Sequence, residues 1–160
     1  MRRRIIHTLT ALAVPLTLLA AQPPGGHDNP RLYLPDEIKW QEGPPSIPPG
    51  AKMALLDGDP AKEGPFVARF KLPPGYKVAP HIHPQPERLT VISGTLHFGM
   101  GDKFNVKLDR PMPAGSFGTW PAGMKHFAWT ESETVIQIHG SGPWKIEYVN
   151  PADDPRNKKN

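Results

Sequence analysis

Gly75-Tyr76-Lys77-Val78-Ala79-Pro80-His81-Ile82-His83-Pro84-Gln85-Pro86-Glu87-Arg88-Leu89-Thr90-Val91-Ile92-Ser93-Gly94 places two short apolar runs on either side of a proline-rich bend. His81 and His83 are two residues apart, so on an extended strand both imidazoles point to the same face and can reach one ion. Pro84 and Pro86 force the chain to turn or kink, and a carboxylate just beyond, Glu87, can swing back toward the imidazoles. A fourth group, His126, follows Pro121-Ala122-Gly123. Three imidazoles and a carboxylate make a borderline-hard donor set, suited to iron, manganese, zinc, nickel or copper and poorly suited to calcium or magnesium. Taken alone, the His-X-His pair reads better as two polar residues on the wet face of a strand.

Outward from this stretch, strand patterns recur about every ten residues with turn residues between them. They cover 52–56, 66–72, 78–83, 88–92, 95–99, 104–108, 116–120, 126–130, 134–139 and 144–149. No segment sustains a helical period. Proline (22) and glycine (15) are spread between the apolar runs rather than clustered, which makes them punctuation and not disorder. Many short strands at this spacing predict an all-β sandwich or barrel.

The spacing Gly75, His81-X-His83, Glu87, Gly94 resembles the first motif of the cupin superfamily. Gly115, Pro121, Gly123 and His126 resemble the second. Thr130 departs from the pattern, standing where asparagine is usual. The resemblance covers residues 75–130 and implies a conserved β-barrel, a jelly roll of two antiparallel sheets (the double-stranded β-helix), with one divalent transition metal in the lumen on His81, His83, Glu87 and His126. It also implies one or two open coordination positions. Lys39-Trp40 and the stretch from Pro48 to Pro60 are similar, more loosely, to the opening of cupin domains related to the anti-sigma factor ChrR. The anti-sigma half, with its own cysteine and histidine ligands, has no counterpart here.

The first residues read differently. Arg2, Arg3 and Arg4 precede an apolar run that ends at Ala20-Ala21, the layout of a secretory signal peptide. The predicted organisation is a signal peptide over 1–21, an N-terminal arm over 22–52 packing on the barrel, the barrel over 53–150 and a tail over 151–160. The net charge of +4 falls to +1 once the three arginines are removed. No basic block with interleaved aromatics remains, so nucleic-acid binding has no support, and no membrane association is expected after cleavage. The chain has no cysteine, which excludes disulfides, thiolate ligands and a cysteine nucleophile.

Around the site, Gln137 and His139 share one face of a strand and Ile136 and Ile138 the other; either pair can line the lumen. Trp120, before Pro121, is a candidate for the pocket mouth. Phe127 and Trp129 fall on the face opposite His126 and should pack against an arm or a second subunit. His97 is expected to face outward. The functional expectation is an exported, periplasmic or secreted, metal-dependent oxidoreductase, dioxygenase-like, acting on a small organic molecule. Glu87 serves as ligand and as a candidate base. The alternative is a ChrR-like zinc- or ligand-binding sensing module without catalysis, and a third reading is a barrel whose metal only stabilises it. A homodimer is expected by analogy with small cupins.

Overall fold

Runs of branched and aromatic residues, cut by glycine and proline, become strands throughout. The computed structural model describes residues 30–158, so the expected signal segment, and the arm up to residue 29, lie outside the described residues. The strands in chain order are β1 Gln41–Glu42, β2 Lys52–Asp57, β3 Gly64–Leu72, β4 Lys77–Ile82, β5 Glu87–Ser93, β6 Thr95–Met100, β7 Asp109–Pro113, β8 Phe117–Trp120, β9 His126–Thr130, β10 Thr134–Gly142 and β11 Glu147–Tyr148. Two 3-10 turns, Pro151–Asp153 and Pro155–Asn157, are the helical elements among the described residues. None of these is long and apolar enough to cross a membrane.

The strands form two antiparallel sheets. One has the order β1-β2-β3-β10-β5-β8 and the other β11-β4-β9-β6-β7. Alternation along β10 shows how each sheet faces the core: Thr134, Ile136 and Ile138 are buried while Val135, Gln137 and His139 are half-buried. Phe66, Ala68 and Leu72 of β3, Leu89 and Val91 of β5, and Leu96 and Phe98 of β6 complete the buried cluster between the sheets. Each of these side chains other than that of Ala68 contributes about 1.5–3 kcal/mol on burial. The β5–β6 turn needs Gly94, whose φ is +76° and where a Cβ would sit 2.5 Å from the Glu133 carbonyl.

A bulge in β4 is what aims the histidines. Lys77 and Val78 pair with Trp129 and Ala128 of β9, but His81 pairs with His126, so β4 carries one extra residue at Ala79-Pro80. A slip of one residue exchanges the faces of a strand. Val78 and His81 therefore face the lumen together, which an unbroken strand would forbid. The bulge also accommodates Pro80 in a strand that is paired on both sides.

Two features differ from the sequence expectation. Residues 104–108 form a turn and not a strand, and the strand that follows, β7, contains Pro111 and Pro113. β7 is a sheet edge, where a proline's missing N–H removes no bond from the ladder. Phe127 is already buried within the described chain and needs no second subunit to cover it. Phe104, from the 101–108 turn, lies 4.9 Å from it and leaves it 0% exposed. Residues from Tyr33 onward form one unit, and β1 extends its sheet beside β2.

Candidate metal centre

His81 is the last residue but one of β4, Glu87 opens β5, His126 opens β9, and His83 lies just past the end of β4. All four side chains are buried. Each imidazole is tethered through Nδ1 to a backbone carbonyl: His81 to Ala79 at 2.7 Å, His83 to Lys145 at 2.6 Å and His126 to Met124 at 2.9 Å. A carbonyl can only accept, so each Nδ1 carries the proton and each Nε2 presents a lone pair. The ligand nitrogens of the three rings lie within 4.8 Å of one another. The Glu87 carboxylate approaches two of them, with Oε2 3.4 Å from His126 Nε2 and 3.9 Å from His83 Nε2.

These donors fit a cation. Burial holds the His81 imidazole well below its usual range, and the neighbouring His126 and His83 push it the same way. Burial also lowers His83, offset by the Glu87 charge and the Lys145 carbonyl. Both rings are thus neutral near pH 7, as ligation requires. Glu87 Oε2 is buried with no hydrogen-bond partner. A buried, unpartnered carboxylate oxygen is costly, and convergent lone pairs relieve nothing; a divalent ion among them satisfies both.

Aromatic rings fix the imidazole planes. Trp144 stacks on His83 at 4.4 Å, and Phe98 stacks on His126 at 4.9 Å and on Trp120 at 4.0 Å. Trp120 is half-buried, faces Glu87 across the β5–β8 ladder, and lies behind Phe98 rather than in the cavity wall. Gln137 and His139 are not brought to the site. Ile136 and Ile138 take the cavity face of β10, leaving Gln137 and His139 on the opposite face. There Arg69 Nε donates to Gln137 Oε1 at 2.8 Å, and Gln137 Nε2 lies 2.8 Å from His139 Nε2. His97 is on the outer face of its sheet, as expected, stacked on Trp129 and bound to Asp109.

Trp144 and Phe98 were missed as site residues, as were Tyr76 and Tyr148. The two tyrosines donate to the carbonyls of Pro48 and Ser46 in the β1–β2 loop. That loop, the four ligands and apolar side chains from both sheets line a cavity of about 120 Å3. Thr130 is wholly buried; its hydroxyl donates to the Pro73 carbonyl at 2.7 Å and accepts from the Tyr76 N–H at 3.2 Å. It pins the start of β4 and makes no part of the donor set.

The ChrR cupin-like domain family matches residues 29–145 of the chain. No curated protein matches it in sequence. Among solved structures, it is similar to the polyketide cyclase RemF from Streptomyces resistomycificus, with a TM-score of 0.65, 15% identity, and 79% of this chain and 90% of that one covered. It is similar to an acetylacetone dioxygenase from Acinetobacter johnsonii, with a TM-score of 0.61 and 18% identity over 84% and 87% of the two chains. An RmlC-like cupin from Shewanella frigidimarina superposes with a TM-score of 0.54 and 13% identity over 71% and 91%.

Proposed function

The chain belongs to the ChrR cupin-like domain family, and on that premise we propose that it is an exported, metal-dependent oxidoreductase acting on a small organic molecule with dioxygen as oxidant. The observation that carries this reading is the convergence of three Nε2 lone pairs beside the unpartnered Glu87 Oε2. His81, His83, His126 and Glu87 would hold one divalent transition metal ion. A bound ion of this kind supplies Lewis acidity and, when redox-active, electron exchange with dioxygen.

The chain's own residues do the rest. The Nδ1 tethers and the stacked rings of Trp144 and Phe98 hold the imidazoles in place. Apolar side chains surround the donors, all four of which are buried. Glu87 would serve first as a holder of the ion, and its carboxylate, when swung away from the imidazoles, could take a proton from a molecule bound beside it. One structural relative, 18% identical, is named an acetylacetone dioxygenase, and the reaction class is proposed for this chain by analogy with it.

The test is elemental analysis of protein purified from its own exported compartment, followed by oxygen uptake against small organic compounds. Stoichiometric iron, manganese or copper with compound-dependent uptake is the expected result. Tightly held zinc without uptake assigns the sensing module instead, and absence of any bound metal overturns both. The proposal extends to a homodimer, for which sedimentation at micromolar concentration is the check.

A further inference from the structure

We propose that the cavity beside the histidines selects compact ligands with one anionic oxygen head and an uncharged hydrocarbon body, and that Ile47 limits their length. This rests on the metal reading above. A divalent ion held by neutral imidazoles and the Glu87 carboxylate retains one net positive charge, which a single anionic head balances. A second charge on the ligand meets no counterion. The wall beyond the four ligands is built from side chains such as Phe70, Leu72, Leu96, Ile136 and Ile138. The β3 cations Arg69 and Lys71 occupy the alternate positions, facing away from Phe70 and Leu72. A charged group buried without a partner is strongly disfavoured.

Size follows from volume. An apolar cavity of about 150 Å3 holds a benzene molecule, so about 120 Å3 admits a ligand on that scale. One wall is supplied by the β1–β2 loop through Ile47, whose N–H donates to the Pro44 carbonyl at 3.1 Å. The loop carbonyls on either side, Ser46 and Pro48, accept from Tyr148 and Tyr76. Ile47 is therefore a wall residue held at two points, and it belongs to none of the metal-holding groups.

The experiment compares isovalerate with malonate. Each has a carboxylate head, a methylene and a three-atom branched end, an isopropyl group in one and a second carboxylate in the other. Binding to protein loaded with cobaltous ion is measured by calorimetry and by the shift in melting temperature. The expected result is isovalerate bound at least about a hundredfold more tightly than malonate. The longer 4-methylpentanoate should bind about tenfold more weakly than isovalerate, and Ile47→Ala should remove that penalty. Ile47→Val, a gentler change, should remove part of it if the alanine variant does not fold. Malonate binding as well as isovalerate overturns the charge rule, as does failure of both to bind. A length penalty unchanged in the Ile47 variants overturns the role of Ile47. Metal content is measured separately, and chelated protein is titrated with benzene. Purified protein that carries no metal and takes up none, but whose chelated form still binds benzene, would sink the metal reading while leaving the apolar sieve standing; no benzene binding in chelated protein sinks the sieve.

Discussion

Gly99 and Phe127 face each other across the β6–β9 ladder so closely that a Cβ on Gly99 would lie 2.0 Å from Phe127 Cζ. The ring occupies the space a side chain would need, with Phe104 closing over it. Gly99→Ala should destabilise the protein by about 1–3 kcal/mol, the usual cost of overpacking. Thermal melting checks this, and adding Phe127→Leu should recover part of the loss. An alanine variant that melts with the parent would show that the ring moves freely.

The four donors should contribute unequally. His81→Ala, His83→Ala and His126→Ala each leave two imidazoles, and metal content should drop sharply. Glu87→Gln leaves three imidazoles, which can still hold zinc, so part of the metal should remain while oxygen chemistry is impaired. A ligand present at about a hundred times its dissociation constant stabilises the fold by about 2.7 kcal/mol. The gap in melting temperature between loaded and chelated protein should therefore shrink most in the histidine variants. Full metal occupancy in His81→Ala and His126→Ala would refute the site.

Acid should weaken the metal-free protein. Burial keeps His81 and His83 neutral in the folded state below their ordinary range, whereas in the unfolded chain they take up protons near pH 6.5. A depressed folded-state histidine costs nothing above the unfolded value and disfavours folding below it. Stability should thus be flat with respect to these groups above about pH 6.5. It should fall below that by up to about 1.4 kcal/mol per pH unit for each histidine still neutral in the native state. Urea titrations from pH 8 to pH 5 on chelated protein measure the slope, and His81→Leu should flatten it.

The loop tether can be cut without touching a ligand. Tyr148→Phe removes the 3.0 Å bond to the Ser46 carbonyl, at about 0.5–1.5 kcal/mol. Amide exchange at Ile47 should accelerate while metal content stays constant. Unchanged exchange would show that the loop is held by packing alone.

Much of this was readable in advance, for a physical reason. The period of two in 66–72 and 134–139 and the pairing of His81 with His83 are local properties of an extended chain, and they match β3, β10 and the inward-facing rings. What depends on distant partners was not readable. Nothing near His83 announces that its Nδ1 will find the Lys145 carbonyl, 62 residues away. The parity of β10 was undecidable because Ile and His can both line a barrel. Residues 104–108 have a strand's composition, yet Phe104 serves to roof Phe127.

The bond from Tyr148 to Ser46 joins positions 102 apart in the chain, and Arg69 meets Gln137 across 68. Contacts this distant in sequence form late, because the loop they close must be ordered first. A chain made from its N-terminus has no complete donor set until His126 has emerged, and no tethered loop beside the cavity until Tyr148 has followed. If the chain crosses a membrane unfolded, as the proposed export requires, the ion would be taken up on the far side, and the metal supply of that compartment, rather than that of the cell interior, would decide which element the protein carries.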